Sequence, residues 1–228
     1  MKEDFLSRAR ALPDGTAHIV NGECLKERIL RERWTDAPVF SFNEAMCRGP
    51  AAETVFSEEF IFARCAALGV SREEYEKKTV RELSGALSAP ALALWFGDDM
   101  FCQINLIALL AWLDRQKYGG RVYCGTMRET EDRLLSFDPV SLAGKNGVYL
   151  DVFVYGKIPE AAPPETKKAA AMYLALCLPE NPLRKCIRAR LGEKDLLSFL
   201  LNTFPEYGLG DRQYLEMIEE EKNAAKNG

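Results

Sequence analysis

The sequence has one histidine, His18, and no two cysteines at the CxxC spacing. A single imidazole excludes the HExxH zinc helix and any metal cage built from several histidines. A Ser/His/Asp triad would have to run through His18, and no serine sits in the GxSxG context that exposes a nucleophile. Glycine-rich phosphate loops are missing as well: neither GxGxxG nor GxxxxGK[ST] occurs. Seven cysteines, an odd number without knuckle spacing, fit reduced thiols better than a disulfide framework. Lys and Arg form no stripe and the net charge is −4, so phosphate neutralisation along a nucleic acid has little to draw on. The longest apolar run, Ile104 to Leu113, is interrupted by Asn105 and is too short to span a bilayer. The opening "MKEDFLSRARALPDG" is charged and lacks the apolar core of a secretory signal. A cytoplasmic protein is expected, with neither membrane nor nucleic acid as partner.

What remains is an ordinary globular composition, 47% apolar and 28% charged, which suits one substantial core or one domain with a smaller companion. "AHIVNGECLKERIL" reads as a strand, a tight turn at Asn21-Gly22 and a helix. "APVFSFNEAMCRGP" starts the same way, with a strand at Val39 to Phe42 and a loop closing in Gly49-Pro50. In "SEEFIFARCAALG", Phe60, Phe62, Ala63, Ala66 and Ala67 predict one apolar helix face, with Gly69 at its end. Ser71 and Glu74 stand at capping-box spacing. Ala91 to Phe96 is apolar throughout, as a strand covered on both faces should be, and Met100 to Leu113 predicts a deeply buried helix. "RVYCG" reads as a fourth strand and "VYLDVFVYG" as a fifth. After "KIPEAAPPET" only helical patterns follow, divided by Pro179, Pro182, Gly192, Pro205 and Gly208. The expectation is an α/β fold: a Rossmann-like parallel-sheet domain over residues 1–158, then a small all-helical domain over 159–228.

In a parallel sheet, ligands gather beyond the carboxyl ends of the strands, where the next helix directs its unpartnered N–H groups. The polar residues expected there are His18, Asn21, Gly22 and Glu23 after the first strand, and Asn43, Glu44, Arg48 and Gly49 after the second. Asp98, Asp99 and Gln103 follow the third, and Gly125, Thr126 and Arg128 the fourth. Each also has a plainer reading. Asp98 or Asp99 makes a good helix cap, Glu23 and Glu44 could be caps or solvated acids, and Asn21-Gly22 a simple turn. His18 on the strand itself would be a core or edge histidine. Cys24, Cys47, Cys102 and Cys124 fall near strand ends and could converge on zinc, yet free cysteines usually serve as small buried hydrophobes, and no metal site is assigned.

Three stretches, "HIVNGE" (18–23), "FNEAMCRGP" (42–50) and "LWFGDDMFCQINLIALLAWL" (94–113), together resemble the bacterial family known as domain of unknown function 1835. The matching positions are His18, Asn21, Gly22, Glu23, Glu44, Gly49, Pro50, Asp99 and Gln103, with Glu23 where that family more often has Asp. "LPENPLRKCI" and "LLSFLLNTFPEYGLGDRQYLEMI" are similar to the helical region that often follows it, including its Phe-Pro…Gly-Leu turn. Leu200 and Thr203 stand where that region often carries His and Arg. The resemblance implies a fold and candidate positions, and no known activity.

The function expected is binding of a small phosphorylated or nucleotide-like ligand at the carboxyl edge of the sheet, with hydrolysis or group transfer as the accompanying chemistry. Asp99 or Glu44 would be the base or metal ligand, His18 a proton carrier, and Asn21, Gly22, Glu23, Gly49 and Gln103 binding or orienting groups. Mg²⁺ would reconcile the acids with a phosphate. The alternative is a regulatory or interaction protein acting through its C-terminal helices. Glu193 to Glu220 could form a helix-turn-helix, but its acidic "EMIEEEK" argues against DNA.

Overall fold

The computed structural model describes residues 1–128 and 131–227. Among them, five strands form one sheet: β1 (Ala17–Asn21), β2 (Val39–Phe42), β3 (Ala91–Gly97), β4 (Arg121–Arg128) and β5 (Arg133–Pro139). Their spatial order is β2-β1-β3-β4-β5. β1 runs parallel to β2 and β3, and β3 parallel to β4, while β5 is antiparallel to β4. The protein is therefore α/β with a mostly parallel sheet. From β1 the chain winds outward to β2, then returns past β1 to β3, so the winding direction reverses between β1 and β3.

Helices cover both faces. On one lie α1 (Lys2–Ala9) and α2 (Glu23–Arg31), whose Phe5, Leu25 and Ile29 pack with Trp34 against Val20, Ala93 and Trp95. On the other lie α3 (Glu58–Leu68), α4 (Arg72–Tyr75), α5 (Glu82–Ala86) and α6 (Met100–Arg115). β3 is buried along its whole length, as its unbroken apolar run requires, and α6 is buried on nearly every side. After β5 come α7 (Lys145–Tyr149), α8 (Pro164–Leu176), α9 (Pro182–Ala189), α10 (Leu196–Thr203) and α11 (Asp211–Asn227). Ala170, Leu183, Leu200 and Tyr214 from this helical part join the same apolar core as α6. No helix among the described residues is long and apolar enough to cross a membrane.

Local signals account for several element ends. Ser57 and Ser71 cap α3 and α4 by accepting from Phe60 N and Glu74 N. Gly69 closes α3 with φ 68°, a left-handed conformation that glycine adopts without steric cost. Asn181 caps α9 by accepting from Arg184 N (2.8 Å), with Pro182 following it at the first helical position.

Three expectations need correction. "VYLDVFVYG" is helical: α7 passes into a wider-wound turn at Leu150–Val154. Its buried Tyr149 and Val152 lie three apart and pack into the core with α6, so tertiary packing overrides the β-branched composition. The fifth strand is instead "RLLSFDP", an antiparallel edge anchored by Phe137, which stacks on Trp95 (5.0 Å between centroids). Thirdly, the inward face of α3 carries Phe60, Ile61 and Arg64, and Phe62 is exposed.

Arg64 turns inward because Glu44 waits there. Both side chains are fully buried. Arg64 Nε and Nη2 donate to Glu44 Oε2 (3.1 and 2.9 Å), and Nη2 also donates to the Ala45 carbonyl (2.7 Å). Ala45 N and the Tyr75 hydroxyl supply the remaining donors to the carboxylate. The pair fixes the loop after β2. Removing one member would strand the other's charge in a dry interior, so Arg64→Ala should lower the unfolding free energy by about 3–5 kcal/mol in urea titration. Arg72→Ala, which removes the exposed bridges to Glu58 and Glu76, should leave the urea midpoint nearly unmoved.

Candidate functional site

The reversal between β1 and β3 leaves a cleft at their carboxyl ends, about 550 Å³ in volume. Asn21, Cys24 and Leu25 form one side, Asp98, Asp99, Phe101 and Cys102 the other. Gly22 makes the turn between β1 and α2 at φ 87° and ψ 167°. Nothing stands within 4 Å of where a Cβ would project, so the backbone torsion is what demands glycine here. No side chain caps α2, and Cys24 and Leu25 of its first turn line the cleft.

Asp99 starts α6: its Oδ1 accepts from Cys102 N (2.8 Å). The Cys102 thiol shares a hydrogen bond with the same carboxylate, and Asn21 Nδ2 donates to Cys102 Sγ (2.9 Å). Asn21 Oδ1 in turn accepts from Asn105 Nδ2 (3.0 Å). Burial raises the proton affinity of Asp99, opposed by the Cys102 amide. Burial likewise holds the Cys102 thiol well above its ordinary range, and the neighbouring Asp99 adds to this, so Cys102 is a thiol and no ready nucleophile at neutral pH. Asp98 pairs with Arg128 (2.7 Å), whose guanidinium also meets Glu131 (3.1 Å).

The outer wall comes from far along the chain. Pro205, Glu206 and Gly208, from the turn after α10, line the cleft with Lys168 of α8. Gly208, at φ 64°, lies so close to the Asp99 carboxylate that a Cβ there would overlap it. The "FPEYGLG" stretch and "FGDD" thus meet, although more than a hundred residues separate them. Lys168 has no carboxylate within ion-pair distance among the described residues.

Of the residues proposed from sequence, Asn21, Gly22 and Asp99 come together here. Gln103 lies one turn further along α6, 5% exposed, and donates from Nε2 to the Gly97 carbonyl (2.7 Å). Glu23 turns the other way, accepting from Ser41 Oγ (2.6 Å) and Asn43 Nδ2 (3.3 Å) and pairing with Lys26 (3.5 Å). Gly49 is a packing position: its missing Cβ makes room for Ala67 of α3. Glu44 is not free to act as base or metal ligand, since Arg64, Tyr75 and Ala45 N occupy its carboxylate. His18 sits near the start of β1 among Phe5 and Trp95, and its Nδ1 accepts from Trp95 Nε1 (3.0 Å). The proton-carrier role is thereby corrected: the imidazole faces the α1 side and lies at the wrong end of the strand.

Sequence reasoning did not find Lys168, which stands in "KKAAA" with nothing local to set it apart. Cys102 was legible from sequence as a small buried hydrophobe or a zinc ligand, and the Phe204–Gly208 turn only through the family resemblance. Among the described residues, no group of three or more His, Cys, Asp or Glu side chains is placed to hold a metal ion. No family model, curated protein or solved structure matches the chain.

Burial lowers the His18 pKa to about 4, so the folded chain favours neutral imidazole. The stabilisation is complete above the unfolded value near 6.5 and is lost as pH falls toward about 4, because the unfolded chain then binds a proton that the folded chain refuses. The stability difference between parent and His18→Asn should therefore shift against the parent between about pH 7 and about pH 4. Urea midpoints across that interval measure it, and a constant difference would contradict a desolvated imidazole.

Proposed function

We propose that the chain is a Rossmann-like protein of the family it resembles, and that it binds a small phosphorylated or nucleotide-like ligand in the cleft between β1 and β3. In this reading residues 159–228 form the helical part that closes the cleft from outside, and the protein works in the cytoplasm. One observation carries the proposal. The first turn of α2, uncapped by any side chain, and Lys168, unpaired among the described residues, line the same cleft at the sheet's winding reversal. Backbone N–H groups at a helix start and one available ammonium suit an anion, and neither needs a glycine-rich motif.

Of the acids such a ligand would meet, Glu206 stands exposed at the rim and Asp99 lies largely buried at the helix start. Its raised proton affinity reduces the repulsion an anion would otherwise feel, and it is the group available for proton transfer in hydrolysis or group transfer. Asp98 is already engaged by Arg128, so a Mg²⁺ ion would be held by Asp99 and phosphate oxygens, as this ion is commonly bound, with one or two carboxylates. Mg²⁺ would then offset phosphate charge and orient the transferring group.

Thermal-shift measurements with inorganic phosphate and AMP, each with and without Mg²⁺, test the proposal. The parent should be stabilised by at least one of them, and Lys168→Gln should lose most of that shift. Asp99→Asn keeps a side-chain oxygen for Cys102 N, so it should fold like the parent but lose the Mg²⁺-dependent part. Asp99→Ala should in addition lose about 1 kcal/mol of stability with the cap. A parent that responds to none of these probes would defeat the reading.

A further inference from the structure

The cleft does not end at Asp98 and Arg128. Beyond that ion pair a second cavity, about 650 Å³, runs between α6, the β4–β5 hairpin and α8, and Asp98, Arg128, Lys168 and Glu206 line both spaces. Its apolar lining comes from Met100, Leu106 and Leu110 of α6, Leu135 of β5 and Met172 of α8. Charged groups stand around it, Asp138, Lys145 and Glu165 besides the four shared with the cleft, and uncharged polar groups include Gln103, Thr126 and Ser136. Gln103 is 95% buried by its 5% exposure, and its Nε2 is committed to the Gly97 carbonyl (2.7 Å). That bond fixes the amide orientation, and Oε1, without a partner among the described residues, is the acceptor that Gln103 can offer the cavity it lines. The hydroxyls of Thr126 and Ser136, cross-strand neighbours on β4 and β5, likewise have no hydrogen-bond partner there.

We infer that this cavity takes a planar heteroaromatic ring of the nucleobase class, belonging to the same ligand whose anionic group sits in the cleft. The inference rests on the anionic reading of the cleft and specifies the rest of the ligand. A flat ring offers apolar faces to the Leu and Met side chains and N–H groups at its edge to Gln103 Oε1. An acyl chain would cover that acceptor with methylenes and leave it neither hydrated nor paired. A bare sugar phosphate would leave the Leu and Met surface without an apolar partner. Concave, mostly apolar spaces of about 300–1,000 Å³ with a few placed polar groups are the usual form of small-molecule sites. Lys168 stands at the junction, where a phosphate would pass from one space to the other.

Isothermal titration of AMP, GMP, CMP, UMP and inorganic phosphate into the full chain tests this, with Gln103→Met and Thr166→Trp as variants. Gln103→Met removes the acceptor at similar volume. Thr166 lines the cavity from the first turn of α8 and is only half-buried, so tryptophan there should fill the space without unfolding the chain. At least one nucleotide should bind about tenfold or more tighter than phosphate, and each folded variant should remove most of that preference while leaving phosphate affinity unchanged. Phosphate binding with no nucleotide preference would overturn the inference and leave the anion cleft standing. Nucleotide binding that Thr166→Trp does not weaken would also overturn it. Loss of response to phosphate and nucleotides alike in the parent would overturn both.

Discussion

A helix buried on nearly every side needs partners for the polar side chains it takes inward, and α6 carries Gln103 and Asn105 into the interior. An amide left unpaired there costs about 1–3 kcal/mol, so the surrounding chain has to come to it. Asn105, fully buried, donates from Nδ2 to Asn21 Oδ1 (3.0 Å) and the Glu44 carbonyl (2.7 Å), and its Oδ1 accepts from Met46 N (3.0 Å). One side chain thereby joins the end of β1 to the loop after β2. Gln103 holds the end of β3 through Gly97, and Asp99 closes the first turn. The polar break in an otherwise apolar segment is the place where three strand ends are tied to one helix.

The second tie is ionic. Arg64 and Glu44 hold the loop after β2 from the α3 side, and Arg48 in the same loop reaches Glu216 of α11 (3.0 Å). Arg212 donates to the Leu68 carbonyl (3.0 Å), so α11 also grips the end of α3. The C-terminal helices are thus fastened by charge as well as by the shared apolar core, and the turn after α10 reaches Asp99. The cleft exists only because a segment late in the chain forms its outer wall. The acids nearest it are already accounted for in part: Asp98 by Arg128, Asp99 by the α6 amide and the Cys102 thiol. Among the described residues, Lys168 and Glu206 are the exposed charges lining the cleft without an ion-pair partner.

What the sequence determined is what local physics decides. β3 and α6 were legible because uninterrupted apolar stretches of strand and helix length have few alternatives, and the caps at Ser71 and Asp99 and the torsion at Gly22 were legible because each is settled within a few residues. That polar residues would cluster beyond β1 and β3 followed from parallel winding alone. Direction and partnership belonged to the tertiary structure. His18 and Glu44 lie close to the right strands, yet Trp95 claims one and Arg64 the other, and neither partner is near in sequence. Residues 148–156 have strand composition, and 148–154 became helix because packing against α6 outweighed a propensity worth a fraction of a kilocalorie per residue. β5, mostly exposed at the sheet edge, had little burial pattern to betray it. Lys168 and Gly208 acquired their places only when distant helices closed over the sheet edge, since a long-range contact leaves no periodicity in the residues that make it.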